Sequence, residues 1–375
     1  KIFGFHGYNI KFSPKNPRLI CVGGANYGLQ GNNFLSSKNN FFLSDISGRG
    51  SIYIIDIVES TTLKIVQNIS NVSDVITDVS WCPSLPAVDA FVTGCGRGIL
   101  KVYNGDKLAV SVVHIQAHAA EIASIEWGPE GTILSCGWDG TFKIVSQIDI
   151  GVFNLNCVWS LLGDDEKLAN TFTSPDLQGH CFEAKLGHNG LIATALSNSQ
   201  MQLWDRRGAS GKPCLSANHG SEVTSVEWHR SDTNKICSGA SDSVIRLWDM
   251  RNTCQPLLRL LGHDYAVRKI VTCKFNPDVL LSCSYDKTVR RWHLQNQSIL
   301  LNKHEKLEHH SEFVYGLDTS PMLPGMALIA LGIQNKALSL SLDQEKYVPN
   351  RRFFPIVVSA GAARRRRFVY NAVCG

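Results

Sequence analysis

Apolar and polar residues alternate along most of the chain in short runs that Gly, Asn, Asp and Ser interrupt. Alternation with a period of two is typical of a half-buried β-strand, and no long stretch shows the 3.6-residue period of an amphipathic helix. The 375 residues are 44% apolar, which is enough to bury a sizeable core. The pattern therefore predicts an all-β protein of one or two domains.

One strand pattern recurs at a nearly constant interval. Successive copies lie 69, 46, 46, 55, 47 and 43 residues apart, and they are anchored at Phe12, Trp81, Trp127, Thr173, Trp228, Phe275 and Asp318. A repeat of about 40 to 50 residues with four strand-like runs is typical of a propeller blade, because one small sheet cannot bury both faces unless its neighbours stack on it. We therefore predict a seven-bladed β-propeller over residues 1–343.

The two ends of the chain and the two long intervals depart from the regular repeat. We predict that residues 1–5 form the outermost strand of the last blade, since such a strand closes the ring. The extra residues near 34–47 and 176–190 are interpreted as surface loops, because added loop length costs little closure entropy. Residues 344–375 carry seven Lys or Arg against one Glu and are predicted to be a disordered basic tail.

Two of the repeats share a second pattern of four polar and aromatic residues. In both, His precedes Asp by 23 residues, Ser precedes Asp by four and Trp follows Asp by six. The residues are His219, Ser238, Asp242 and Trp248 in the fifth repeat and His263, Ser282, Asp286 and Trp292 in the sixth. This is the WD40 type of blade, in which the turn carboxylate is tolerated because His and backbone amides bond to it.

Asp, His and Ser in this arrangement also resemble a hydrolase triad. The third repeat carries a further copy, His118, Ser135 and Asp139, and catalysis has no use for copies in successive blades. Other repeats depart from the pattern, with Val145 in place of Trp, Asn198 in place of Asp and Arg97 in place of Asp. We interpret these sets as scaffold and predict that the protein is not an enzyme.

Acidic and aromatic residues occupy positions that a propeller gathers on one face. Glu121, Glu222 and Glu312 each lie six residues before an anchor, and Asp78 lies three before Trp81. Two aromatic residues directly precede a turn Asp, namely Trp138 and Tyr285. Carboxylates bind Lys or Arg, and aromatic rings bury apolar side chains, so these six residues predict a site for a short basic, amphipathic peptide.

Several segments resemble the WD-repeat peroxins that act as receptors for type 2 peroxisomal targeting signals. They are HGYNIKFSP (6–14), NYGLQGN (26–32), LLGHDYAVRK (260–269), LLSCSYDKTVRRW (280–292) and EHHSEFVYGLD (308–318). The resemblance implies a cytosolic receptor that shuttles to the peroxisome. It also implies cargo with an N-terminal type 2 signal, a peroxin co-receptor and the peroxisomal docking machinery as partners. By position, Asp78 and Glu121 would meet basic residues of the signal, while Trp138, Glu222, Tyr285 and Glu312 would line the groove.

An alternative interpretation comes from Trp204-Asp205-Arg206-Arg207 and Trp248-Asp249-Met250-Arg251. A WD-x-R sequence after the third strand resembles the docking element of substrate receptors of cullin-type ubiquitin ligases. The other reading is an arginine at the end of a strand that bonds to its local backbone.

Composition excludes several other classes. No Cys/His spacing predicts a metal site, and the glycine-rich stretches fit neither a phosphate loop nor a dinucleotide fingerprint, so we expect no cofactor. The 12 cysteines include no C-x-x-C pair, which indicates free thiols in a reducing compartment. Without the tail the chain is near neutral, which argues against nucleic acid, and no apolar run approaches the length of a membrane span.

Overall fold

The computed structural model describes residues 5–26, 49–58, 62–83, 89–105, 113–128, 132–145, 171–173, 179–205, 212–294, 304–309, 313–320, 327–331, 339–341 and 357–359. These residues form four-stranded antiparallel sheets, which we number 1 to 7 in chain order, and their strands are β1–β28. Most strands of sheets 1 to 6 are described by backbone and side chains. The fourth strand of sheet 3, most of the fourth strand of sheet 6 and the last three strands of sheet 7 are described by backbone alone.

The strand bounds follow the same order in each sheet. The first strands are β1 Phe5–Phe12, β5 Ile76–Trp81, β9 Ile122–Trp127, β13 Cys181–Leu186, β17 Val223–Trp228, β21 Val267–Thr272 and β25 Val314–Thr319. The second strands are β2 Leu19–Asn26, β6 Ala90–Cys95, β10 Ile133–Gly137, β14 Leu191–Leu196, β18 Lys235–Ala240, β22 Val279–Ser284 and β26 Ala327–Leu331. The third strands are β3 Arg49–Val58, β7 Ile99–Asn104, β11 Phe142–Val145, β15 Gln200–Asp205, β19 Ile245–Asp249, β23 Thr288–His293 and β27 Ser339–Ser341. The fourth strands are β4 Thr62–Val72, β8 Val113–Gln116, β12 Thr171–Thr173, β16 Leu215–Asn218, β20 Leu258–Leu260, β24 His304–His309 and β28 Val357–Ser359.

The sheets close into a ring around a central channel. The first strand of each sheet contacts the first strand of the next, and β25 of the last sheet contacts β1 of the first. At that closure the Phe12 amide donates to the Asp318 carboxylate at 2.9 Å. A closed ring of four-stranded sheets is a β-propeller, so the prediction of an all-β propeller is confirmed.

The core lies between neighbouring sheets. Cys21, Ile52 and Ile54 of sheet 1, for example, pack against Val79 and Phe91 of sheet 2. Each sheet therefore buries both faces only because the next sheet covers it, as the repeat predicts. The large side chains Trp248 and Trp292 are almost completely enclosed in such layers.

Polar side chains of the first strands join each sheet to the next. The Asp78 carboxylate accepts the Ile125 amide of sheet 3 at 2.6 Å, and Ser80 Oγ accepts the Trp127 amide at 2.9 Å. Ser225 Oγ of sheet 5 accepts the Ile270 amide of sheet 6 at 3.1 Å. These bonds satisfy buried amides that face the channel, so the inner polar residues hold the ring together.

Sheet 4 begins later than the sequence suggested. Thr173, read as its anchor, lies in β12, the outermost strand of sheet 3, where Thr173 pairs with Lys143. The first strand of sheet 4 is Cys181–Leu186, so part of the predicted loop 176–190 is a strand followed by one 3-10 turn, His188–Gly190. Thr173-Ser174-Pro175 resemble the residues at the strand ends of the other blades. The first strand of sheet 4, in contrast, ends at Leu186 and has neither an aromatic residue nor a proline there.

Several other predicted boundaries differ from the structure or fall outside the described residues. The predicted loop near 34–47 falls between β2 and β3 and lies outside the described residues. Residues 1–4 of the predicted closing strand also lie outside the described residues. Phe5 belongs to sheet 1, where it pairs with Asn26 of β2. The fourth and outermost strand of sheet 7 is β28, in the place that was predicted for the N-terminal strand. This strand falls inside the predicted tail, and its two β-branched residues, Val357 and Val358, favour extended structure. Phe275 lies in the turn after β21 rather than at the strand end, Thr272.

Candidate functional site

The turns between the second and third strands share one backbone conformation. The same turn position has a positive φ in five sheets, 78° at Gly98, 71° at Gly140, 68° at Ser199, 65° at Ser243 and 66° at Lys287. Three of these residues carry side chains in a region that L-residues rarely adopt, so the surrounding ring fixes the turn. The repeated turn places Trp138, Asp139, Tyr285 and Asp286 at the same end of the channel as the start of each first strand.

Sheet 6 contains the complete four-residue network. His263 Nδ1 lies 2.7 Å from the Asp286 carboxylate, and His263 Nε2 lies 2.6 Å from Ser282 Oγ. Trp292 Nε1 donates to the same hydroxyl at 2.8 Å. In sheet 3 His118 bonds in the same way to Asp139 at 3.0 Å and to Ser135 at 2.9 Å. These groups satisfy one another, which is the behaviour of a scaffold.

Sheet 5 uses its network differently. His219 Nε2 and Trp248 Nε1 still meet Ser238 Oγ, at 3.1 and 2.7 Å. The Asp242 carboxylate, however, pairs with Arg246 at 2.5 Å instead of with His219. The expected four residues therefore come together in sheet 5 except for the contact between His and Asp.

Asp78 lines the channel, and its carboxylate bonds to the neighbouring sheet. It is 2% exposed on β5, and its carboxylate accepts the amides of Val79 and Ile125 at 2.8 and 2.6 Å. Both oxygens are thus occupied by backbone donors within the ring. Asp78 holds β9, the strand that begins directly after Glu121.

Glu121 lies at the mouth of the channel, which we define as the end where the first strands begin. Its side chain is buried, and burial raises the pKa of its carboxyl to about 7, an effect that Arg268 partly opposes and Asp74 strengthens. The Glu121 carbonyl accepts the Trp138 amide at 2.9 Å. The Trp138 ring lies 5.5 Å from the His180 ring, so this aromatic pair borders Glu121.

Four aromatic rings continue around the mouth from sheet 6 through sheet 7 to sheet 1. Tyr285 lies 5.4 Å from Phe313 and 5.6 Å from Tyr315, centroid to centroid. Tyr315 in turn lies 5.8 Å from Tyr8. We call Tyr8, Tyr285, Phe313 and Tyr315 the aromatic arc, and it offers edge and face contacts for an apolar ligand.

The remaining predicted acids have different positions. Glu222 precedes β17, its side chain is exposed, and its carbonyl accepts the Ser241 amide at 2.8 Å. Glu312 lies outside the described residues. The residue of sheet 7 that directly precedes its first strand, as Glu121 does in sheet 3, is Phe313. Glu312 was chosen by counting six residues back from Asp318, and Asp318 stands one residue before the strand end, Thr319. The chosen position is therefore one residue too early in the sequence.

Arg268 is a member of the site that the sequence interpretation did not single out. It lies on β21 and lines the channel together with residues of five other sheets, including Tyr8, Thr77 and Tyr315. Burial raises the pKa of Tyr285, and the positive charge of Arg268 partly opposes this rise. The available signal was the position of Arg268, four residues before the end of its strand, where Tyr8 and Tyr315 stand in sheets 1 and 7.

The alternative docking element has a local partner in the part that is described. Arg251 is 69% exposed and bonds through Nε and Nη2 to its neighbour Asp249, at 2.9 and 2.6 Å. Arg207 lies outside the described residues. The geometry at Arg251 agrees with a strand-end arginine that bonds locally, here to a side chain.

Among the residues that the structure describes, no group of three or more His, Cys, Asp or Glu side chains is arranged to hold a metal ion. In the same ranges no helix is long and apolar enough to cross a membrane.

Comparison with known proteins gives one family and several relatives. The family described as the EIPR1 beta-propeller matches residues 36–292. The chain is 32% identical over 186 residues to the peroxisomal targeting signal 2 receptor of Mus musculus, which covers 48% of this chain and 50% of that protein. It is 27% identical over 146 residues to peroxisome biogenesis protein 7 of Arabidopsis thaliana, covering 37% and 40%. It is also 28% identical over 189 residues to a ribosome biogenesis protein WDR12 homolog of Drosophila pseudoobscura pseudoobscura, covering 43% and 44%. The chain spans about half the length of the curated relatives it matches.

Proposed function

The chain belongs to the EIPR1 beta-propeller family, and we propose that this propeller is a receptor for type 2 peroxisomal targeting signals. The observation that carries the proposal is that a buried carboxylate, Glu121, and the aromatic arc lie at the same end of the channel. A signal that combines basic and apolar side chains on a helix would find a partner for each there. The partial likeness to the mouse receptor supports the same function.

The proposal assigns a role to each predicted site residue. Glu121 receives a basic side chain of the signal, and Trp138 and Tyr285 pack against its apolar side chains. Glu222 and Glu312 extend the acidic rim. Asp78 acts indirectly, because its bond to the Ile125 amide fixes the strand that follows Glu121.

The wider assignment is also a proposal. The ring is a complete seven-bladed WD40 propeller that binds and does not catalyse. The receptor works in the cytosol with a peroxin co-receptor, meets the peroxisomal docking machinery and shuttles to the peroxisome with its cargo. A co-receptor that contacts both the signal and the mouth would complete the groove.

The experiment measures binding of a fluorescein-labelled type 2 signal helix to the whole chain by anisotropy at pH 8. Glu121→Gln should weaken binding about tenfold or more, because a hydrogen bond to a charged group contributes roughly 1.5–3 kcal/mol. The control, Asp232→Asn, lies in the turn after β17 at the far end of the strand and should change affinity less than about twofold.

A pH series sharpens the same test. Since burial raises the pKa of Glu121 to about 7, wild-type affinity for the basic helix should fall as the pH drops from 8 to 6 and the carboxyl is protonated. Glu121→Gln should show no such fall. Equal affinity of wild type and Glu121→Gln at pH 8 would remove Glu121 from the site, and no binding of the helix would reject the function.

A further inference from the structure

The charged side chains of the first strands are paired in most of the channel. Lys11 lies 3.8 Å from Asp318, Lys185 lies 3.6 Å from Glu227, and Lys269 lies 3.8 Å from Glu183. Burying an ion is costly unless an opposite charge or hydrogen bonds accompany it, so this pairing is what a stable channel requires.

Arg268 departs from that pattern. It stands beside Lys269 on β21, yet none of the described carboxylates comes within the 4.0 Å of an ion pair with its guanidinium, and none of the described residues bonds to it. The guanidinium lines the open channel. An arginine in this position presents a planar fork of donors to whatever enters the mouth.

Glu121 is the acidic counterpart. Its carboxylate has neither an ion pair nor a hydrogen bond with any described side chain or amide, although the residue is buried. Arg268 lines the channel together with Ala123 and Ser124 of β9, the strand that begins directly after Glu121. Its charge acts on Glu121 electrostatically although the two groups are not within the 4.0 Å of an ion pair. Asp74 adds negative potential on the Glu121 side, and Tyr285 borders Arg268.

We propose that Arg268 and Glu121 form a two-charge clamp that selects a helical peptide carrying a basic and an acidic side chain on one face. The inference rests on the proposed function, since it places the ligand at the same mouth. The basic side chain meets Glu121, and the acidic side chain accepts two parallel hydrogen bonds from the Arg268 guanidinium. Each buried charge thereby gains the partner that the ring does not supply.

The aromatic arc completes the selection. Tyr285 and Tyr315 lie beside Arg268, so an apolar side chain next to the acidic residue packs on their rings. Side chains three or four positions apart share one face of a helix. A ligand with Lys and Glu at that spacing and Leu three or four positions beyond Glu presents all three groups on one face.

The experiment uses the whole chain and a type 2 signal helix in which one residue, three or four positions from the basic residue, is Glu, Gln or Lys. Wild-type protein should bind the Glu helix about tenfold more tightly than the Gln helix, as expected for one charge-assisted bidentate contact. Arg268→Gln should bind the Glu and Gln helices equally, and a far-UV circular dichroism spectrum and urea midpoint like those of the wild type show that the variant is folded. Arg268→Glu should prefer the Lys helix. The matched control, Arg230→Gln, alters an exposed arginine after β17 and should keep the wild-type preference.

Two outcomes overturn the clamp: equal binding of Glu and Gln helices by wild type, or a preference for Glu that survives in Arg268→Gln. If the Gln helix binds in a manner that depends on Glu121, the proposed function stands even when the clamp fails. If no signal helix binds, a library of helical peptides with one fixed Lys decides the clamp separately. Wild type must then enrich acidic residues three or four positions away and Arg268→Gln must not, and the absence of this difference rejects the clamp.

Discussion

Sheets 5 and 6 have the same His, Ser, Asp and Trp spacing and yet different hydrogen bonds. Asp286 in sheet 6 bonds to His263, and its side chain is 2% exposed. Asp242 in sheet 5 turns to Arg246, and its side chain is 29% exposed. The spacing thus determines which residues meet but does not determine which partner the carboxylate takes.

The residue two positions after Asp explains the difference. Thr288 Oγ1 donates to Asp286 at 2.7 Å and holds the carboxylate next to His263. Sheet 5 has Val244 there, which supplies only its amide, at 3.1 Å. An arginine follows at the same position in both sheets, and Arg290 approaches Asp286 only to 3.5 Å. The arginine therefore approaches the carboxylate closely, at 2.5 Å, where no hydroxyl competes, and stays at 3.5 Å where one does.

Sheet 3 supports this explanation. Its turn also has a threonine, Thr141, whose hydroxyl donates to Asp139 at 2.8 Å. Asp139 stays on His118 at 3.0 Å. Two sheets with threonine keep the contact between His and Asp, and the sheet with valine loses it.

The largest expected difference comes from removing each carboxylate. Asp286→Ala strands His263 and the amides of Asp264 and Thr288 in a buried site, so it should lower the free energy of unfolding by about 3 kcal/mol or more. Asp242→Ala acts at a more exposed ion pair and should cost about 1 kcal/mol. Urea unfolding followed by tryptophan fluorescence measures both, and equal losses would contradict the comparison.

The contributions of sheets 5 and 6 to the free energy of unfolding should also depend differently on pH. Burial, assisted by Arg246, lowers the pKa of His219 to about 3 from an ordinary value of 6.5. Between these two pKa values the unfolded chain is protonated at His219 and the folded protein is not. The stability that neutral His219 contributes is therefore complete above pH 6.5 and declines as the pH falls towards 3. Asp286 has a carboxyl pKa below its ordinary 3.8, because bonds from His263 and Thr288 outweigh burial, so its contribution declines only below about pH 4.

The measurement is the urea midpoint at several pH values between 6.5 and 4.5. His219→Gln should flatten the decline seen in the wild type over this interval. His114→Gln, at an exposed residue of β8, is the control and should leave most of the decline in place. An unchanged slope in His219→Gln would mean that the buried ring does not resist protonation.

The sequence was sufficient for the ring but not for its channel. Local alternation and turns gave the all-β propeller, because each blade repeats the same short-range pattern. Sheet 4 was misplaced since Cys181–Leu186 lacks the aromatic residue and proline of the other blades. Asp78 was predicted to meet a basic residue of a ligand, and the sequence did not indicate that its carboxylate also accepts an amide of the next sheet. The partner of Asp78 and the surroundings of Arg268 depend on contacts between strands about 45 or more residues apart, which no local pattern contains.

The smallest effect, and the most direct test of the threonine explanation, comes from exchanging Thr288 and Val244. Thr288→Val removes one buried hydroxyl bond and should cost about 1 kcal/mol. Val244→Thr keeps the β-branched shape and should change stability by less than about 1 kcal/mol. Its effect should appear at His219, because a hydroxyl that draws Asp242 away from Arg246 places a carboxylate beside the ring and raises its pKa from about 3. An NMR titration of the histidine rings reads this shift. A His219 pKa that stays at its wild-type value in Val244→Thr would show that Arg246, rather than the missing hydroxyl, sets the network of sheet 5.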